Sequence, residues 1–283
     1  MRYLLIILLL GIFTYSCTEE KHDVMAGSDV SFTLAPATRS NELIEFAEGD
    51  AVGVYVLDKT NNSALKSAGN YADNKKFVWN SEKKCFIAAD NENLIFNSPD
   101  RQLDFYVYYP YKSQVVDATS MPHAVTGNSK TDDFLFAVND EHTGKKEIPL
   151  SFVHLLSKVN VLYTSSENRD QTAMTIRTYT DTKVNLATGI LSTTVNRRTD
   201  LPLEKVSGDT YVAFVGLIPP QKFDVGEQFC MLSYTDLGTG CPFSFAEQRT
   251  FVSGETNEVK FMPKELAYKF IATPASMNYA ALD

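Results

Sequence analysis

An all-β protein built from antiparallel sandwiches is expected from this sequence, on three grounds. Helix-length amphipathic windows are nearly absent beyond residue 17. In their place stand short runs rich in β-branched and aromatic residues. Gly, Asn, Asp and Pro clusters separate those runs at short intervals, as the turns of a sandwich require. The length suits two such domains in tandem, at roughly 100–200 residues each. A hydrophobic content of 44% is enough for packed cores.

The N-terminus has a different character. Arg2 precedes the apolar stretch from Leu4 to Leu10, which is too short to remain as a spanning helix. Small Ser16 then precedes Cys17. This is the layout of a secretory signal peptide over residues 1–16, with Cys17 as the lipidated residue of a bacterial lipoprotein. Acyl chains on that thiol would hold the protein at about 0.8 kcal/mol per buried methylene. Thr14-Tyr15 is a loose form of the usual cleavage motif, so a plain signal peptide cut elsewhere is the competing reading. Thr18-Glu19-Glu20 resemble the surface-export signal of lipoproteins in Bacteroidetes-type bacteria, which implies a surface-exposed place on the outer membrane.

Strands are expected in order from there. The run 51–57 is opened by the turn pair Gly49-Asp50. The run 103–109 places Phe105, Val107 and Tyr109 on one face and Tyr106 and Tyr108 on the other, and Pro110 ends it. Further runs cover 134–138, 159–163, 174–179, 190–195, 211–217, 228–234, 242–246, 258–262 and 266–272, with 236–240 reading as a hairpin loop. Phe152, Leu155, Leu156 and Val159 fall at helical spacing, so a single turn followed by a strand is expected there. Residues 164–171 contain no apolar side chain and are the expected domain junction.

For chemistry the residues are sparse. The formal charge of -9 argues against nucleic acid or anionic lipid as a partner. Of four histidines, His22 lies in the leader, while His123 and His142 fall in loops. His154 reads as a core histidine with a backbone partner. Asp140, Glu141 and His142 are adjacent and so cannot all converge on one metal ion. The acids Asp132-Asp133 suit turn capping better than hydrolysis, which needs two carboxylates flanking a cleft. No nucleophile elbow, phosphate loop, dinucleotide fingerprint, zinc motif or C-x-x-C is present, so no catalytic residue, metal or cofactor is expected. Tyr106, Tyr108, Tyr109 and Tyr111 with Trp79 would either stack on sugars or border a core. Beyond Cys17 there are Cys85, Cys230 and Cys241; Cys230 with Cys241 would close a short loop, but the odd number leaves pairing open.

Four ordered segments then resemble the fimbrillin family of pilus proteins from Bacteroidetes-type bacteria. They are Phe46-Ala47-Glu48-Gly49-Asp50-Ala51-Val52-Gly53-Val54-Tyr55, Asp104-Phe105-Tyr106-Val107-Tyr108-Tyr109-Pro110-Tyr111, Asp132-Asp133-Phe134-Leu135-Phe136-Ala137, and the stretch from Ile148 to Val159. Leu217-Ile218-Pro219-Pro220-Gln221 and Phe251-Val252-Ser253-Gly254-Glu255 add a vaguer likeness in the C-terminal half. The resemblance implies two transthyretin-like antiparallel β-sandwich domains in tandem, here 40–164 and 165–283, behind a lipidated leader of 17–39. It also implies that a trypsin-like protease removes that leader, a strand included, and that the bared groove takes a strand from another pilus subunit.

Matching parts are present. Val30, Phe32 and Leu34 alternate with polar residues as a removable strand would. Arg39, followed by Ser40, sits in a small-residue linker suited to cleavage. Leu266, Tyr268 and Phe270 share one face of a candidate donor strand, whose alternative reading is an ordinary final strand of the second domain. The implied function is a stalk or tip subunit supporting adhesion. A lipid-retaining pilus anchor and a monomeric surface lipoprotein that binds glycan or host protein are the alternatives.

Overall fold

The structure, a computed structural model, describes residues 28–35, 44–129, 131–141, 144–163, 172–208, 212–234, 239–265 and 269–273. Among them every element is a strand apart from one short 3-10 turn at Asn91–Asn93. No helix of the described residues is long and apolar enough to cross a membrane. The all-β expectation therefore holds.

The N-terminal half is organised by one eight-stranded sheet. Its spatial order is Glu147–Leu150, Ser31–Leu34, Cys85–Ala88, Ala72–Asn80, Ala51–Asp58, Leu103–Tyr109, Leu135–Asn139 and Val153–His154. The turn before Ala51–Asp58 is closed by Asp50, whose N–H donates to Ala47 O and whose carboxylate accepts from Ala47 N at 2.8 Å. Gly49 supplies the positive φ of 90° that this turn needs. The sheet curls until its first strand returns to its seventh, where Asn139 Nδ2 donates to Pro149 O at 3.1 Å.

Both faces of this sheet are covered, so its central strands read as nearly unbroken apolar runs rather than alternating ones. Val52, Val54, Val56, Phe105 and Val107 enter one core, together with Phe77, Trp79 and Phe86. Tyr55, Leu57 and Tyr108 enter a second, which Phe134, Leu156, Val184, Leu186 and Leu217 complete. The two-faced reading of 103–109 is thus realised, with a separate core on each side.

The second core joins the halves of the chain. Met121–Ala124 pairs antiparallel with Asp181–Asn185, which pairs in turn with Ile190–Thr193. In the C-terminal half a five-stranded sheet faces a four-stranded one across a third core. Phe229 is its centre, ringed by Phe223, Phe243, Phe245 and Phe251 at centroid distances from 4.6 to 6.3 Å.

One local expectation changes, and the structure adds detail at two other places. Residues 152–159 form no helical turn: Val153–His154 and Ser157–Tyr163 are strands, and Leu155 N donates instead to Phe134 O at 2.8 Å. Ser157–Tyr163 pairs with Val212–Ile218 and Thr256–Glu265, so the strand preceding the expected junction hydrogen-bonds into the C-terminal sheet. The junction itself, 164–171, lies outside the described residues. Cys230 and Cys241 are not bridged, because the hairpin register sets Cys230 opposite Phe243 and Cys241 opposite Leu232.

Candidate functional site: a strand seat in the N-terminal sheet

The residues Val30, Phe32 and Leu34 come together in one seat. Ser31–Leu34 lies parallel to Glu147–Leu150, with Phe32 opposite Ile148 and Leu34 opposite Leu150. On its other side it runs antiparallel to Cys85–Ala88, with Phe32 opposite Phe86 and Thr33 opposite Cys85. Backbone bonds extend the seat at both ends. Val30 N donates to Ile95 O at 2.9 Å, Ser31 N to Lys146 O at 2.9 Å, and Ala35 N to Leu150 O at 2.8 Å.

The alternation in this segment puts its apolar side chains on the core face. Val30 is buried and Phe32 is 0% exposed, while Leu34 packs against the same core from its margin. Phe32 meets Phe77 and Phe105 edge to face at 4.9 and 5.5 Å. Burying such a side chain is worth about 1.5–3 kcal/mol. By contrast the exposed ion pair of Lys146 with Asp29, at 3.3 Å, contributes little after solvent screening.

Two features of the seat were not legible in the sequence. Glu147–Leu150 has no backbone strand partner except Ser31–Leu34 among the described residues; its other side is held by the side chain of Asn139. Cys85, across from Thr33, is buried, and desolvation pushes its thiol pKa up. The far end of the seat is capped by Phe46, whose ring packs within 4.8–5.7 Å of Phe86, Tyr109, Phe152 and Trp79. Cys17, Arg39, Ser40, Leu266 and Tyr268 lie outside the described residues. Phe270 falls in the strand Lys269–Thr273, which pairs antiparallel with Thr256–Glu265.

The remaining candidate residues take other positions. Trp79 and Tyr108 are core residues, not an exposed sugar platform: Trp79 is buried in the first core and Tyr108 in the second. Asp132 caps a loop: its carboxylate accepts from Thr126 N, Gly127 N and Asn128 N at 2.7–3.1 Å. His123 is buried, its Nε2 2.8 Å from Asp132 O, and desolvation followed by the nearby Lys112 charge lowers its pKa. His154 is half-buried rather than central, and its Nδ1 lies 2.9 Å from the Asp133 carboxylate.

That pair lines a cleft of about 310 Å³ together with Ser129, Leu156, Leu217 and Glu255. The Ser129 hydroxyl donates to Glu204 Oε2 at 2.6 Å and is not hydrogen-bonded to His154, so no nucleophile–base relay is assembled there. No group of three or more metal-ligating side chains converges among the described residues. His142 lies outside them.

The profile of the family described as fimbrillin-like matches residues 37–273. A relative from Bacteroides uniformis, named "Putative fimbrium subunit Fim1C", is 29% identical over 119 residues. That match covers 40% of this chain and only 37% of the relative, so it spans little more than a third of that protein. Two solved structures share the fold. A "putative cell adhesion protein" from Bacteroides uniformis superposes with a TM-score of 0.65 at 20% identity, covering 87% of this chain and 96% of that one. One from Bacteroides ovatus, described in the same words, gives 0.66 at 16% identity, covering 88% and 96%.

Proposed function

The chain belongs to the fimbrillin-like family, and on that footing we propose that it is a structural subunit, stalk or tip, of a surface pilus. In this reading it reaches the outer membrane as a lipoprotein through Cys17, loses its leader after Arg39, and polymerises by strand exchange between subunits. Its two halves act as tandem transthyretin-like sandwiches, one accepting a strand and the other supplying it. The relative named as a fimbrium subunit supports the pilus role.

The observation that carries the mechanism is the seat of Ser31–Leu34. A strand that leaves it exposes two rows of unpaired backbone groups, on Glu147–Leu150 and Cys85–Ala88, above an apolar floor of Phe77, Phe86 and Phe105. Such a groove is unstable in water and recruits a strand of matching alternation. Leu266, Tyr268 and Phe270 offer that alternation. One observation favours a second reading: the depth at which Phe32 is seated suits a pilus anchor that keeps both leader and lipid.

Protein from outer-membrane and sheared surface fractions separates these readings by N-terminal sequencing and mass. Dissociation-resistant polymer beginning at Ser40, lost in Arg39→Ala, is the expected result. Lipidated chain beginning at Cys17 and bound to a pilus base would establish the anchor. Lipidated monomer alone, in both fractions, would overturn the pilus reading.

A further inference from the structure

A second site lies in the C-terminal half, away from the strand seat. Thr172–Thr178, Thr199–Pro202 and Gln228–Tyr234 are neighbouring strands of the four-stranded sheet. The segment before Thr199 lines an open cavity of about 650 Å³ beside them. Arg177, Arg197 and Arg198 all line it. For a chain of net charge -9, three guanidinium groups in one cavity call for an explanation.

Arg198 is the structural member. Its side chain is 10% exposed, it is ion-paired with Glu227 and donates to Lys222 O, and it lies over the rings of Tyr179 and Phe223 at 4.9 and 4.4 Å. The Glu227 charge is thereby used within the wall, where it also accepts from Asp224 N at 3.0 Å. Arg177 and Arg197 are different. Both are exposed. Arg177 stands opposite Asp200 in the strand register, yet its one side-chain hydrogen bond among the described residues is a 3.4 Å contact to Gln228 Oε1. Arg197 has no ion pair among the described residues.

The cavity thus presents two uncommitted planar forks of N–H donors, the group that best matches a carboxylate or sulfate. Its remaining wall is polar: Asn196 and Thr199 can donate to or accept from hydroxyls, Asp200 can accept from them, and Tyr179 lines it too. The volume falls within the roughly 300–1,000 Å³ of small-ligand sites. An apolar ligand would strand these donors, and nucleic acid is disfavoured by the overall charge. We propose that this cavity binds an acidic saccharide, with Arg177 and Arg197 engaging its carboxylate or sulfate and Asn196, Thr199 and Asp200 its hydroxyls. The site needs no leader removal, so a chain that never polymerises binds equally well.

The test is calorimetric titration of the intact folded chain with three probes: 3′-sialyllactose for carboxylate, a heparin-derived disaccharide for sulfate, and lactose as the neutral counterpart. Saturable binding of at least one acidic probe, with none of lactose, is expected, and which acidic probe binds identifies the anion. Arg177→Ala with Arg197→Ala should weaken that binding about tenfold or more. Lys66→Ala, which removes one exposed charge from the N-terminal half, should leave it unchanged. The proposal is overturned if neither acidic probe saturates, if lactose binds as well as they do, if the double variant keeps its affinity, or if Lys66→Ala weakens binding equally. Both arginines are exposed, so the variants are expected to keep the wild-type melting temperature.

Discussion

The ring of Phe32 meets that of Phe77 edge to face at 4.9 Å, which makes the proposed leader part of the core it is proposed to leave. Phe32→Ala is expected to destabilise the leader-bearing chain by about 3–5 kcal/mol, through lost contacts and the cavity left behind. The measurement is a urea midpoint lowered at unchanged slope. A shift under about 1 kcal/mol would show that the strand adds little to the core.

Glu147–Leu150 takes its backbone partners from Ser31–Leu34 and is otherwise tied by Asn139. Hydrogen exchange at residues 148 and 150, whose backbone faces Ser31–Leu34, should therefore be slow in the full chain and fast in one beginning at Ser40. Adding Asn139→Ala should accelerate it further. Equal protection in the full and shortened chains would count against a strand-exchange groove.

Cys85 reports on the same event. It lies across from Thr33, buried, with its thiol pKa raised by desolvation, so it should react slowly with a maleimide while the leader strand is in place. Removal of residues 1–39 should speed that reaction, and a bound donor strand should slow it again. Peptide mapping identifies the labelled thiol, and Cys230 in the C-terminal core should stay unlabelled throughout. A labelling rate at Cys85 indifferent to the leader would refute the coupling.

His123 predicts a pH dependence. Desolvation, then the Lys112 charge, holds its folded pKa below 6.5, against weaker opposing effects of Asp132 and Asp133. The unfolded chain then binds the proton more readily, so stability rises with pH across this window. Its contribution is complete above about 6.5 and is lost as pH falls through the lower folded value. His123→Gln should flatten the unfolding free energy between pH 7 and 5.

Gly53 predicts a steric effect. A Cβ at this position would lie 2.1 Å from Cε1 of Tyr108, its cross-strand partner, whose hydroxyl donates to Asn74 Oδ1 at 2.8 Å. That hydrogen bond fixes the ring, so Gly53→Ala should cost about 1–3 kcal/mol by overpacking, read as a lowered melting temperature. A melting temperature equal to wild type would mean that the ring moves aside freely.

Much of the strand pattern was legible. The runs at 51–57, 103–109 and 228–234 coincide closely with strands because β-branched and aromatic residues cluster there between turn residues. The segment 152–159 misled because paired leucines satisfy a helical spacing as well as a covered strand connection, and only the bond from Leu155 N to Phe134 O distinguishes them. His154 misled for a related reason. Its apolar neighbours along the chain suggested a core, while its partner, Asp133, comes from a segment twenty-one residues earlier.

Residue order along the chain is enough to specify that it is all β, where most of its strands run, and which face of Leu103–Tyr109 carries which residues. Those properties are local, written in a period of two and in turn chemistry. Long-range packing, by contrast, sets Ser31–Leu34 between Glu147–Leu150 and Cys85–Ala88, covers both faces of the central strands of their sheet, and brings Arg177 and Arg197 to one cavity. Pairing between distant strands depends on how whole faces fit and how the sheet curls to close. No local pattern encodes that, because the alternation that fits a strand to one neighbour fits it to many.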